Sequence, residues 1–69
     1  MKFYKALESI ESGHFQYLRM KRWSPEVVIF IHTPTDEVSH QFLCVRSRFG
    51  TVPWIPTQVE MFSSDWEIK

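Results

Sequence analysis

The sequence predicts an α+β fold in which an N-terminal helix and a short C-terminal helix pack on a mainly antiparallel β-sheet. Three observations support this class: the chain opens with a helical periodicity, its middle carries β-branched and alternating segments, and a second helix-start pattern lies near its end. Helices and strands that are segregated along a chain, rather than alternating one by one, are typical of α+β domains.

The first predicted element is an amphipathic helix. Apolar residues recur at i, i+3, i+4 and i+7, as Phe3, Ala6, Leu7 and Ile10. This spacing places them on one face of a helix. Gly13 is the predicted end of that helix, because glycine readily takes the left-handed conformation that terminates many helices.

The next predicted elements are two strands. Residues 15–20 combine aromatic and aliphatic side chains in a short stretch suited to a strand. Residues 27–31 read Val-Val-Ile-Phe-Ile between Pro25 and Pro34, which favours a strand that is apolar on both faces. We expect this second strand to be central in the sheet.

A hairpin is predicted to join the central strand to a third one. Residues 33–37 are rich in turn-forming side chains. Residues 41–49 then alternate, with Phe42 and Cys44 opposed to Leu43 and Val45. Because activation of a thiol requires a base or an electropositive setting, we expect Cys44 to be buried and unreactive.

The last third of the chain predicts a break, a short helix and a final extended segment. Gly50 begins the break, and Thr57 and Glu60 have the spacing of a capping box, so a helix should begin at Thr57. The Ser-Ser-Asp sequence at 63–65 competes for backbone hydrogen bonds and should end it. Residues 66–68 then return as an extended segment, with Trp66 packed on the sheet.

Length and composition limit the classes of protein that the chain fits. A chain of 69 residues is expected to be one domain, spanning 1–69, that buries about 60% of the surface of its unfolded state. Its one cysteine allows no internal disulfide, so oligomerisation is the expected aid to stability. The formal net charge of zero opposes a nucleic-acid coat protein. The apolar run at 27–31 is too short to span a bilayer, and we expect a soluble, intracellular protein.

Two tryptophans are the main candidates for ligand binding. Trp54 lies between Pro53 and Pro56, whose fixed φ angles hold its ring on a stiff segment. Stacking of a base on an aromatic ring contributes about 1–3 kcal/mol of binding free energy, so Trp54 and Trp23 are suited to binding a purine. The alternative is that both rings belong to the core or to a subunit interface.

Several charged and polar residues are further candidates for ligand binding. Arginine supplies the bidentate donors that a pyrophosphate needs, and the candidates are Arg19, Arg22, Arg46 and Arg48. The last two are expected on one strand face at period two. Asp65 offers acceptors for ribose hydroxyls, and Gln58 lies at a helix start that favours anions. The alternatives are a solvated sheet face for the arginines and local turn chemistry for Asp65.

Catalytic and metal sites are not predicted. His14, His32, His40 and Cys44 match no recognised ligand spacing, and the carboxylates are scattered along the chain. We therefore expect no metal, no cofactor and no enzymatic activity.

Several segments together resemble a known family. The chain opens with Phe3-Tyr4-Lys5-Ala6-Leu7-Glu8 before Gly13 and has an Arg-then-Trp element from Arg19 to Trp23; its C-terminal part carries Pro53-Trp54, Thr57-Gln58, Glu60 and Asp65-Trp66-Glu67. Over nearly the whole chain, this pattern resembles the Thoeris anti-defence family of the second type. The members of this family are small phage-type proteins. Many relatives carry a longer hairpin where residues 33–41 leave room only for a compact connection.

This resemblance implies a non-enzymatic sponge. It implies a dimer of dimers in the cytoplasm of an infected bacterium that binds cyclic ADP-ribose isomers, and in some members cyclic dinucleotides, and keeps them from their effector. Two other classes stay open from the residues: an inhibitor that uses exposed aromatics to bind a host protein, and a virion or nucleic-acid accessory protein, which the neutral charge disfavours.

Overall fold

The computed structural model describes residues 1–33 and 40–69. Within these residues the elements, in chain order, are α1 (Phe3–Glu11), β1 (Leu18–Met20), β2 (Val28–His32), β3 (Phe42–Ser47), β4 (Gly50–Pro53), α2 (Gln58–Phe62) and β5 (Trp66–Ile68). The strands form one sheet in which each neighbouring pair is antiparallel. The predicted α+β class, with both predicted helices, is therefore confirmed.

Strand β2 lies at the centre of the sheet, as predicted. The strand order is β4-β3-β2-β1-β5. Strand β2 pairs with β3 from Val28 opposite Arg46 to His32 opposite Phe42. The predicted pairing of these two strands is confirmed, whereas residues 34–37 of the predicted turn lie outside the described residues.

Strand β4 corrects the sequence prediction for the segment after residue 47. The predicted strand 41–49 ends at Ser47, and the predicted break at Gly50 is instead the start of β4, which pairs with β3. Arg48 and Phe49 form the turn, followed by Gly50 at φ 113°. A turn followed by a positive-φ glycine is a common hairpin connection. Gly50 therefore permits the chain to reverse and continue the sheet.

Helix α1 covers one face of the sheet and builds the core with it. The buried residues of this core are Phe3, Ala6 and Ile10 from the helix and Leu18, Met20, Ile29 and Trp66 from the sheet. The helix ends as predicted, with Ser12 as its C-cap and Gly13 at φ 84°. Trp66 is only 1% exposed, so the prediction that it packs on the sheet is confirmed.

The opposite face of the sheet carries a different set of side chains. Because residues alternate along a strand, Phe42, Cys44 and Arg46 point away from α1, while Leu43 and Val45 pack against the core. The predicted alternation of β3 is thus confirmed, and Cys44 is buried, as expected.

Helix α2 begins with the predicted capping box. The Thr57 hydroxyl accepts a hydrogen bond from the Glu60 N–H at 3.2 Å, and the Glu60 carboxylate accepts one from the Thr57 N–H at 2.8 Å. No residue of α2 is buried. The helix is fastened to the core by the indole of Trp66, whose Nε1–H donates to the Glu60 carbonyl at 2.8 Å.

Candidate functional site

Three tryptophans from distant parts of the chain form a cluster, Trp23, Trp54 and Trp66. The ring of Trp66 lies 5.3 Å from that of Trp23 and 6.0 Å from that of Trp54, centroid to centroid. Trp23 and Trp54 are themselves 6.3 Å apart, at an interplanar angle of 80°. Edge-to-face packing of this kind is a favourable arrangement of aromatic rings. Trp66 is buried beneath the two half-buried rings, so this tryptophan cluster connects the core to the surface.

Trp54 is fixed by both its backbone and its ring. It directly follows β4, and its N–H donates to the Leu43 carbonyl at 2.8 Å, which extends the pairing of β4 with β3. Its ring lies 6.1 Å from that of Phe3 in α1. The sequence prediction of a stiffly held Trp54 rested on the neighbouring prolines, and the contacts to Leu43 and Phe3 add to that restraint.

Trp23 lies in the irregular segment between β1 and β2 and is held by two backbone hydrogen bonds. Its N–H donates to the Met20 carbonyl at 3.0 Å. Its carbonyl accepts a hydrogen bond from Nη2 of Arg19. The ring is therefore positioned by the end of β1 as well as by its contacts with Trp54 and Trp66.

Arg19 is a buried arginine whose terminal nitrogens are both occupied by protein acceptors. Nη1 forms an ion pair with the Glu67 carboxylate, and Nη2 binds the Trp23 carbonyl. The residue is 5% exposed. Sequence reasoning selected Arg19 as a donor to phosphate; its observed contacts are instead to β5 and to the Trp23 segment.

Arg22 is the candidate arginine that combines exposure with a place next to the tryptophan cluster. It precedes Trp23 in the chain and is exposed. Its Nη2 lies 3.8 Å from the sulfur of Met20, which is a weak contact. Among the described residues its side chain has no other hydrogen bond, so most of its donors are available to an anion at this edge of the cluster.

Arg46 and Arg48 are placed away from this cluster within the chain. The prediction that they share a strand face is wrong, because β3 ends at Ser47 and Arg48 lies in the following turn. The guanidinium of Arg46 lies 4.9 Å from the centre of the Tyr17 ring, on the face opposite α1, and that of Arg48 lies 4.8 Å from the Phe49 ring. Both are exposed and make cation–π contacts.

The two polar candidates lie at opposite ends of the short helix region. Gln58 is the first residue of α2 and is exposed. Asp65 is half-buried; its N–H donates to the Ser63 hydroxyl at 3.1 Å, and its carbonyl accepts from the Lys21 N–H at 3.0 Å. These bonds give Asp65 a local structural role, since they hold the turn before β5 against the segment that leads to Trp23.

Sequence reasoning missed two participants in this region. Glu67 is the ion-pair partner of Arg19, and Phe3 packs against Trp66 with the ring centroids 5.1 Å apart. Phe3 was assigned to the apolar face of the helix but not to the aromatic cluster. The available signal for Glu67 was its opposite charge to Arg19, which identifies a pair only once β1 and β5 are known to be neighbours.

Five exposed apolar residues are spread along the segment from the β3–β4 turn to α2, and we call this set the apolar strip. The strip consists of Phe49, Val52, Ile55, Val59 and Phe62. The exposed fractions reach 85% for Phe49, 87% for Ile55 and 74% for Phe62. Large apolar groups concentrated in one exposed segment make it a candidate interaction surface.

Neither a metal cluster nor a membrane-spanning helix is found in the described part of the chain. Residues 1–33 and 40–69 contain no group of three His, Cys, Asp or Glu side chains arranged to hold a metal ion. They also contain no helix that is long and apolar enough to cross a bilayer.

Comparison with protein families gives the decisive observation. The family model described as Tad2-like, the Thoeris anti-defense 2-like domain, matches residues 1–69. The chain belongs to this family. No curated protein matches the chain.

Membership of the Thoeris anti-defense 2-like family confirms the resemblance inferred from the sequence and assigns the chain an anti-defense role connected with Thoeris signalling. Several segments that carried the resemblance meet in space. The Pro-Trp segment supplies Trp54, the Asp-Trp-Glu segment supplies Trp66, and the Arg-then-Trp segment supplies Trp23 to the same cluster.

Proposed function

We propose that this Thoeris anti-defense 2-like protein sequesters a cyclic nucleotide immune signal without degrading it. The ligands are cyclic ADP-ribose isomers or, alternatively, cyclic dinucleotides. The observation that carries this proposal is the tryptophan cluster, in which Trp23 and Trp54 present half-buried rings from two separate segments above a buried Trp66.

The aromatic part of the ligand is assigned to Trp23 and Trp54. Both rings are restrained by backbone hydrogen bonds and by neighbouring rings, so little conformational freedom is lost when a base packs on them. Each base that stacks on such a ring contributes about 1–3 kcal/mol. Two restrained rings therefore give a small ligand a substantial share of its binding free energy.

The polar part of the ligand is assigned to Arg22, Gln58 and the half-buried Asp65. Arg22 adjoins Trp23 and offers a permanently charged donor fork to a phosphate. Gln58 begins α2 and Asp65 follows it, and they offer an amide and carboxylate acceptors to ribose hydroxyls. Arg46 and Arg48 lie away from the tryptophan cluster of their own chain. We therefore assign them to a ligand pocket that a second subunit completes.

Self-association is part of the proposal. The apolar strip of Phe49, Val52, Ile55, Val59 and Phe62 is exposed in the isolated chain, and a formal net charge of zero puts little electrostatic repulsion between copies. We assign the strip to a contact between copies, in an assembly that reaches a dimer of dimers. A small domain gains stability from such burial.

The mode of action requires no turnover. Each occupied pocket removes one signal molecule, so the protein must bind at least as tightly as the effector and be comparably abundant. We place this activity in the cytoplasm of an infected bacterium, where the signal is produced. The proposal includes no cofactor, membrane or nucleic acid.

Tryptophan fluorescence tests the proposal directly. The purified protein is titrated with cyclic ADP-ribose isomers and cyclic dinucleotides, with linear ADP-ribose as the control. Saturable quenching by one cyclic ligand at stoichiometric levels, without its consumption, is the expected result. A flat response to all of these ligands at micromolar concentrations would contradict the proposal.

The exposed apolar strip also favours a second candidate function, inhibition of a host protein through a direct contact. Aromatic and aliphatic side chains of this kind serve as anchors in protein interfaces. Affinity purification from host lysate distinguishes the two candidates. The sponge releases a small molecule on heating, whereas the inhibitor retains a stoichiometric protein partner.

A further inference from the structure

We infer that Arg19 is a positioning residue that sets the orientation of Trp23, rather than a contact to the ligand. Its guanidinium joins three segments: β1, to which it belongs, β5 through Glu67, and the irregular segment through the Trp23 carbonyl. The part of this inference that concerns affinity rests on the proposed function. The part that concerns the orientation of Trp23 does not.

The burial of Arg19 limits the access of a ligand to its guanidinium. At 5% exposure its guanidinium is nearly withdrawn from water, while the Glu67 side chain is 38% exposed. Each terminal nitrogen of Arg19 already donates to one protein acceptor, and its Nε, which has no acceptor among the described residues, is buried, so a ligand phosphate has little access to the guanidinium. Displacement of Glu67 would also separate Arg19 from its described ion-pair partner, which is costly for a buried charge.

The register of the sheet explains why Arg19 and Glu67 meet. They are directly opposite each other in the β1–β5 pair, between the pairs Leu18–Ile68 and Met20–Trp66. Directly opposed residues in an antiparallel pair have neighbouring side chains on the same face of the sheet. Glu67 therefore fixes one side of the guanidinium, and the other side is free to bind the Trp23 carbonyl.

The position of the Trp23 backbone depends on this bond because the segment has few other backbone hydrogen bonds among the described residues. Residues 21–27 contain no helix or strand. The described backbone bonds from this segment to its neighbours run from the Lys21 N–H to the Asp65 carbonyl, in the turn before β5, and from the Trp23 N–H to the Met20 carbonyl, in β1. Arg19 supplies the bond on the carbonyl side of Trp23. With both sides held, the indole is directed toward Trp54 and Trp66.

Lysine cannot reproduce this arrangement. An arginine holds two acceptors at once with a planar fork, whereas a lysine carries one compact ammonium group. In Arg19→Lys the charge that neutralises Glu67 is kept, but one group must serve both Glu67 and Trp23. The substitution therefore keeps the positive charge of residue 19 but removes the planar fork that holds both acceptors.

Fluorine NMR of protein labelled with 5-fluorotryptophan tests the inference. The chain has three tryptophans, and Trp23→Phe assigns the Trp23 resonance. Arg19→Lys is expected to produce its largest change in that resonance, as a shift or as broadening, with the protein still folded. Arg22→Lys is the matched control, because it replaces an exposed arginine next to Trp23 and should leave the resonance close to its original position.

Ligand affinity provides the second measurement. We expect Arg19→Lys to weaken binding of the cyclic ligand about tenfold, which corresponds to about 1.4 kcal/mol. Weakened binding together with an unchanged Trp23 resonance would identify Arg19 as a direct ligand contact and overturn the inference. If the unmodified protein binds no cyclic nucleotide while Arg19→Lys still displaces the Trp23 resonance, the proposed function fails and the positioning role stands.

Glu67→Gln keeps the test decisive if Arg19→Lys fails to fold. Gln retains a carbonyl acceptor but lacks the negative charge that holds the guanidinium. The expected result is again a change concentrated on the Trp23 resonance. A spectrum in which all three resonances keep their positions in Glu67→Gln would contradict the inference.

Discussion

The rings of Trp23 and Trp54 meet edge to face, with their centroids 6.3 Å apart and their planes at 80°. One ring comes from the connection between β1 and β2, and the other from the segment after β4. Both contact Trp66, which is buried in β5. The folding of the sheet is thus what creates a pair of half-buried rings at one place on the surface.

Replacement of either half-buried tryptophan should weaken ligand binding more than it weakens the fold. We expect Trp23→Ala to reduce affinity for the cyclic ligand about tenfold or more, since a stacked base contributes about 1–3 kcal/mol. Fluorescence from the two remaining tryptophans or isothermal calorimetry measures this loss.

Tyr4→Ala is the control for that substitution, because Tyr4 is an exposed aromatic in α1 outside the tryptophan cluster. The affinity of the Tyr4→Ala protein for the cyclic ligand should match that of the unmodified protein. Equal losses of affinity for Trp23→Ala and Tyr4→Ala would show that the tryptophan cluster is not the binding site.

Replacement of Trp66 should act mainly on stability. Its ring is 1% exposed and contacts Phe3, Trp23 and Trp54. Truncation of a buried aromatic to alanine costs about 3–5 kcal/mol, which is a large part of the stability of a small domain. Urea denaturation of Trp66→Ala should show a much lower midpoint, or no folded baseline. A midpoint within error of the original would contradict the placement of Trp66 in the core.

Loss of the capping box should cause a smaller loss of stability. Thr57→Ala removes the acceptor for the Glu60 N–H, and such a change costs about 1 kcal/mol. Glu60→Gln is the matched control, since glutamine also completes a capping box. Thermal denaturation should therefore order the proteins as original, Glu60→Gln and Thr57→Ala. A larger loss for Glu60→Gln would assign the effect to charge rather than to the cap.

The apolar strip predicts how the protein assembles. Phe62→Lys places a charge at a position that is 74% exposed in the isolated chain, so it should dissociate the proposed oligomer with little loss of helicity. Sedimentation velocity measures the change in mass. Phe15→Lys, outside the apolar strip, is the control and should leave the mass unchanged. An unaltered mass for Phe62→Lys would exclude this end of the strip from the interface.

Local patterns in the sequence were sufficient to predict much of the fold. The periodicity of residues 3–10, the β-branched run that became β2 and the Thr57–Glu60 spacing each depend on neighbours a few residues apart. Strand β4 was missed because its turn uses Arg48 and Phe49 before Gly50, which is not one of the dipeptides that mark a hairpin.

The candidate site was harder to predict because its parts meet through long-range pairing. The sequence selected Trp23 and Trp54 as a pair but showed no reason for them to touch. The charge of Arg19 suggested a phosphate, whereas its partner Glu67 is 48 residues away and becomes its neighbour only through the β1–β5 register. Arg48 lies in a turn that local alternation did not indicate, so it does not share a strand face with Arg46.

The most direct test of the account is recovery of the bound signal. The protein is incubated with the cyclic nucleotide that quenches its fluorescence, freed of unbound ligand, and then heated to unfold it. We predict that the released nucleotide is chemically intact, in a fixed molar ratio to the protein, and active again on its effector. Release of a linear or cleaved product would contradict sequestration and would instead identify the protein as an enzyme.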